Sequence, residues 1–182
     1  MLHGTKVHIE LAKKLIKVYP KMVNDIYLSD EYYGETALHM AIVNEDPPTV
    51  KFLLLNGADV HQRCCGAFFT PDDQKSGRVN DPKSEAPRLP VKTDYKGYSY
   101  FGEYPLSFAA ILNQEECVRL LYAKGAHPDK QDSNGNTVLH MLVINDNLKM
   151  FKLMVELNAN LNIKNNAGLT PLTLAATLAR KK

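Results

Sequence analysis

Two histidines stand three residues after threonines: Thr36 precedes His39, and Thr137 precedes His140. A hydroxyl and an imidazole at that spacing, where a helix begins, can exchange hydrogen bonds across the first turn and cap it. Both pairs fall at the same place in a repeated string, which assigns Thr36, His39, Thr137 and His140 a structural role. The other reactive side chains do not assemble into a site. His61, His127, Cys64, Cys65 and Cys117 lack the spacing of metal ligands, and the glycines fall at turns rather than in a phosphate-binding loop. No catalytic residue, metal site or cofactor is expected, and the chain does not read as an enzyme.

The elements that carry these pairs recur. The string Gly34-Glu35-Thr36-Ala37-Leu38-His39-Met40-Ala41 returns in weaker form from Gly102 to Ala109, from Gly135 to Leu142 and from Gly168 to Ala175. The opening glycines lie 68, 33 and 33 residues apart. A fixed period of about 20–50 residues marks stacked supersecondary units, and 33 is the ankyrin period. The first interval is one period plus 35, so a long insert interrupts the array. Gly57, Gly125 and Asn158 each follow an opening glycine by 23 residues, and both residue types tolerate the left-handed conformation that stops a helix.

The expected architecture is therefore an all-α ankyrin-repeat solenoid of helix-turn-helix units joined by hairpin turns. It comprises a partial repeat at 1–33, a repeat at 34–62, an insert at 63–101, repeats at 102–134 and 135–167, and a truncated repeat at 168–182. Residues 8–18 form an amphipathic helix with Ile9, Leu11, Ala12, Leu15, Ile16 and Val18 on its apolar side. In the first full unit Leu38, Ala41 and Ile42 face inward, Asp46-Pro47-Pro48 opens the second helix, and Val50, Phe52, Leu53, Leu54 and Leu55 form its buried face. Leu148, Met150, Phe151, Leu153, Met154 and Val155 do the same two units later. The middle unit has Tyr104 and Ser107 in place of threonine and histidine, so its cap should be weaker. The insert is rich in proline and charge, and Phe68-Phe69 near one end and Tyr95, Tyr98, Tyr100 and Phe101 near the other read as two aromatic strands able to pair.

Composition narrows the function classes. The 182 residues are 45% hydrophobic with a net charge of +2 spread along the chain, which argues against a nucleic-acid footprint. No apolar run approaches the roughly 20 residues that span a bilayer, so no direct membrane insertion by this segment is expected. The N-terminus lacks the form of a secretory signal, and three cysteines, two of them adjacent, give no disulfide framework. A cytosolic setting with reduced thiols follows. The last helix ends the array with an apolar face and nothing after it, where solenoids normally carry a polar cap, so a fragment of a larger protein is expected.

Three strings carry a closer resemblance: Tyr32-Tyr33-Gly34-Glu35-Thr36-Ala37-Leu38-His39; Asn56-Gly57-Ala58-Asp59-Val60 followed by Gly66-Ala67-Phe68-Phe69; and Tyr98-Ser99-Tyr100-Phe101-Gly102-Glu103-Tyr104-Pro105-Leu106-Ser107. Together they resemble the N-terminal ankyrin domain of vanilloid-type transient receptor potential channels. That family carries a long finger between its third and fourth repeats, and Asp132-Ser133-Asn134-Gly135 resembles its fifth. The long charged insert is similar to invertebrate members of the Inactive and Nanchung types. The resemblance implies a tetrameric, calcium-permeable cation channel of sensory neurones, with this segment on the cytoplasmic side of the plasma membrane and other channel subunits as its partners. A freestanding ankyrin adaptor that binds other proteins is the alternative.

The same resemblance implies where partners would sit. Ankyrin turn tips and first-helix ends line a concave groove, where Tyr32, Tyr33, Tyr100, Phe101, Ile111 and Leu112 fall. With Phe68, Phe69 and Tyr98 of the insert they make up the expected protein-binding surface, since aromatic side chains dominate interface energetics. Ile111 and Leu112 read equally well as packing beneath the insert. Some channels of this type bind ATP on the concave face. Tyr32 matches the tyrosine of that site, while Glu35 stands where the family has glutamine. A carboxylate there would repel a polyphosphate, so ATP at Tyr32 and Glu35 stays an open reading, as does calmodulin.

Overall fold

The computed structural model describes residues 5–29, 32–64, 66 and 101–179. Eight α-helices run through them: α1 Lys6–Val18, α2 Ala37–Val43, α3 Pro47–Leu55, α4 Pro105–Ile111, α5 Glu115–Ala123, α6 Val138–Ile144, α7 Leu148–Glu156 and α8 Pro171–Ala179. A short 3-10 helix, Pro20–Asn24, follows α1. No strand occurs among the described residues. The expected strand residues Phe68, Phe69, Tyr95, Tyr98 and Tyr100 lie outside them.

Each full unit is a helical hairpin, α2 on α3, α4 on α5 and α6 on α7, and the first helices α2, α4, α6 and α8 stack in one layer. The seven-residue α2, α4 and α6 and the nine-residue α3, α5, α7 and α8 are too short to stand alone in water, where about 12–15 residues are marginal. Stacking supplies what length does not. Leu38, Ile42, Leu139, Met141 and Leu142 from the first helices and Val50, Val118, Met150 and Met154 from the second share one buried cluster running through the units.

Turns repeat as regularly as helices. Glu45, Asn113 and Asp146, each eleven residues after an opening glycine, take positive φ between the two helices of a unit. Gly57, Gly125 and Asn158 take positive φ after the second helix, as the residue pattern implied. Asp46 caps α3 by accepting the Thr49 N–H at 3.0 Å, and Asn147 caps α7 through the Met150 N–H at 3.1 Å.

The buried faces are narrower than the apolar runs. In α3 only Thr49, Val50, Leu53 and Leu54 are buried, and Leu55, expected inside, is 67% exposed. Leu148 and Val155 of α7 are exposed too. In a helix packed along one side, an unbroken apolar run must turn some members outward. In α1 Ile16 is the buried residue, and Leu11, Leu15 and Val18 face out. The expected apolar side of that helix is thus only partly covered.

Candidate interaction surface

Each unit begins at a hairpin tip, and the backbone defines its shape. Asp132 N–H donates to the Asn136 carbonyl at 3.0 Å and Gly135 N–H to the Asp132 carbonyl at 2.9 Å. Asn165, Leu169 and Gly168 repeat that pattern one unit later. The first full unit has a longer tip: Tyr27 N–H bonds the Glu35 carbonyl at 2.7 Å and Gly34 N–H bonds the Tyr27 carbonyl at 3.0 Å. Rings of Tyr27 and Tyr32 meet edge to face, 6.2 Å apart.

Behind the tips sit the caps. Nδ1 of His39 accepts from the Thr36 N–H at 3.2 Å and lies 2.9 Å from Thr36 Oγ1. His140 and Thr137 show the same two distances. His140 Nε2 also donates to the Leu169 carbonyl of the following unit at 2.9 Å, which puts the ring proton on Nε2 and leaves Nδ1 to accept. Burial lowers the pKa of both histidines, His39 to about 3. In the middle unit Ser107 Oγ accepts the Tyr104 N–H at 3.3 Å and donates to the Tyr104 carbonyl at 2.7 Å. The first of these is longer than the corresponding bond in the other units.

The insert leaves and re-enters the array through a neck that the tips hold. Cys64 N–H donates to the Glu103 carbonyl at 2.7 Å, joining the two ends of the insert, and Gly66 N–H donates to the Tyr33 carbonyl at 3.1 Å. Arg63 Nε pairs with the carboxylate of Glu103, and Arg63 Nη2 bonds Ser133 Oγ. Glu103, 1% exposed, also accepts from Ser133 Oγ at 2.5 Å and from the Ser133 N–H at 3.2 Å. A buried carboxylate survives only when its charge and lone pairs are met, and here they are. Gly34 lets this neck close: with φ +87°, any Cβ on it would collide with the Arg63 carbonyl.

The expected site residues separate into groups. Tyr32, Tyr33 and Phe101 are half-buried, and Phe101 packs on Phe108 with ring centroids 5.7 Å apart. Ile111 is buried and Leu112 half-buried, in or against the core. Glu35 and Tyr32 are joined through the backbone, Glu35 N–H to the Tyr32 carbonyl at 3.1 Å, and burial raises the Glu35 carboxyl to about 7. Phe68, Phe69, Tyr98 and Tyr100 lie outside the described residues. Cys64 and Cys117 are buried and in no disulfide, and burial pushes Cys117 up to about 11. Among the described residues no group of histidine, cysteine and carboxylate side chains could hold a metal.

Sequence reasoning missed Arg63, Glu103 and Ser133. The place of Glu103 is held by Glu35, Asn136 and Leu169 in the other units, so position in the repeat does not single it out, and its partners lie 40 and 30 residues away.

Comparison with known proteins agrees with this geometry. The pattern described as ankyrin repeats in three copies matches residues 92–182, and a single ankyrin repeat matches residues 33–65. The chain belongs to the ankyrin-repeat family. Its ankyrin units are also similar to named channels. Human transient receptor potential cation channel subfamily V member 4 is 37% identical over 175 residues, covering 86% of this chain and 18% of the channel. The subfamily V member 5 of the rat is 34% identical over 178 residues, with 92% and 22% covered, and the dog's member 1 is 36% identical over 187, with 92% and 20% covered. The chain thus spans about a fifth of the length of these relatives. No helix among the described residues is long and apolar enough to cross a membrane.

Proposed function

We propose that this chain is the cytosolic ankyrin-repeat domain of a vanilloid-type cation channel, serving subunit assembly and the regulation of gating. One observation carries the reading: similarity to the subfamily V channels extends over 86–92% of the chain and so takes in the insert together with the repeats. A likeness confined to generic ankyrin units would stop at the repeat boundaries. The long charged insert supports placing the parent protein with the invertebrate Inactive and Nanchung types.

The insert and the neighbouring tips form the contact with an adjacent subunit, Tyr32, Tyr33 and Phe101 from the tips and Phe68, Phe69, Tyr98 and Tyr100 from the insert. An extended partner segment adds backbone hydrogen bonds to such a surface while its side chains take the aromatic ones. Two measurements test this. The transcript downstream of Lys182 should encode six apolar segments of about 20 residues; their absence would return the chain to a freestanding adaptor. In the full-length protein, Phe68→Asp, Phe69→Asp and Tyr98→Asp should reduce tetramer formation without loss of helix, and intact tetramers in all three would refute the assembly role.

A further inference from the structure

We propose that Arg63 is the positioning residue of the neck, a clasp that holds the neck against three successive hairpin tips at once. The inference rests on the assembly reading above and names the group that fixes the geometry it needs. Three observations carry it. Arg63 reaches Glu103, which opens the second full unit, and Ser133, which sits on the tip of the third. Its own backbone lies against Gly34 of the first full unit so closely that no side chain fits there. Finally, Cys64 and Gly66, on either side of residue 65, are hydrogen-bonded to Glu103 of the second unit and Tyr33 of the first.

The chemistry explains why arginine stands here. Its guanidinium is a planar fork that can donate to two acceptors in fixed directions, which a lysine ammonium cannot reproduce. One branch meets the Glu103 carboxylate and the other the Ser133 hydroxyl, itself a donor to the same carboxylate. The result is a largely buried network of three side chains that adds to the helix stacking and to the Gln114–Ile42 bond between the first two units. The neck is thereby held against all three units.

Hydrogen exchange on the 182-residue chain, together with assembly of the full-length protein, tests the clasp. Arg63→Lys keeps the charge opposite Glu103 and loses the second branch; Ser133→Ala is a milder cut at the same bond. Both should raise amide exchange at Cys64 and Ser133 at least about tenfold while leaving α6 and α7 within twofold. Unchanged exchange, or an equal rise throughout, overturns the proposal. Tetramer formation should then weaken in Arg63→Lys, as in the aromatic variants. If the neck opens and the aromatic variants dissociate while Arg63→Lys assembles normally, the positioning role is wrong and the assembly reading stands. If no variant affects assembly, the assembly reading fails and takes the positioning role with it.

Discussion

His39 and His140 occupy the same place in two units and are both fully buried, yet they end differently. His140 bonds forward to the Leu169 carbonyl, one residue after the next opening glycine. For His39 the matching carbonyl is that of Glu103, one residue after Gly102, and it accepts the Cys64 N–H instead. Nε2 of His39 meets no acceptor in bonding geometry among the described residues, and the Gln62 backbone only partly offsets the burial that depresses its pKa. Where the period is uninterrupted, a side chain links one unit to the next. Where the insert intervenes, the backbone of its neck has taken that acceptor, and the Arg63–Glu103–Ser133 network supplies the link.

The largest effect should come from breaking the substitute link. Glu103→Ala removes the buried carboxylate that Arg63 and Ser133 share, an effect of about 3–4 kcal/mol. Thermal unfolding should show a fall in Tm of roughly 10 °C; a fall below about 3 °C would mean that the neck contributes little.

Acid separates the two junctions next. The folded chain keeps His39 neutral down to about pH 3, whereas the unfolded chain takes up that proton near pH 6.5. Between those values the unfolded state binds more protons, so His39 lowers stability as the pH falls, by about 1.4 kcal/mol per unit. Glu35 and Asp132, raised to about 7 by burial, act in the opposite sense: they hold protons in the folded state and lose that contribution as the pH rises through 7. Comparison with His39→Asn isolates the histidine. The advantage of the natural chain over this variant should shrink by about 3 kcal/mol between pH 6.5 and pH 4, read from urea unfolding at each pH; a constant difference would show that the ring is not neutral when folded.

A smaller effect compares the histidines directly. Asparagine retains an acceptor for the threonine N–H but has nothing at the place of Nε2. His140→Asn therefore loses the Leu169 bond, whereas His39→Asn has no such bond to lose, and the first should be the more destabilising by about 1 kcal/mol at pH 7. Equal effects would mean that the forward bond adds nothing.

These contrasts also mark what could be read from the residues alone. Repeat period, helix stops and threonine–histidine caps are local, each set by a few neighbours, and all are present at the expected positions. The positive φ of Glu45, Asn113 and Asp146 was hidden because no glycine announces it; Asn and Asp tolerate that conformation, and glutamate takes it only under the demand of the turn. The outward-facing Leu55 and Leu148 were misread because a continuous apolar run does not say which third of a helix meets its neighbour. Glu103 was illegible for another reason. Its burial depends on Arg63, 40 residues earlier, and on Ser133, 30 residues later, and no local window contains all three.

The smallest effect belongs to the unit between the two histidines. Tyr104 stands at the N-cap of α4 with Pro105 after it, and its hydroxyl reaches the Gln131 carbonyl at 3.4 Å, at the far end of a ring too long to turn back on the first turn. Threonine at that position would bring an oxygen within reach of the Ser107 N–H, as Thr36 and Thr137 do in their units, and a good N-cap contributes about 1 kcal/mol. Against this stands the lost tyrosine contact, whose length makes it worth less. Tyr104→Thr should therefore raise stability by about 0.5 kcal/mol, seen as a small upward shift of the urea midpoint. Paired with Glu103→Ala, the same substitution should recover none of the lost stability beyond that increment, because the cap acts within one unit and the clasp between units. Recovery of more than about 1 kcal/mol would show that the neck and the α4 cap are one cooperative element, and that the insert stabilises the helix it precedes.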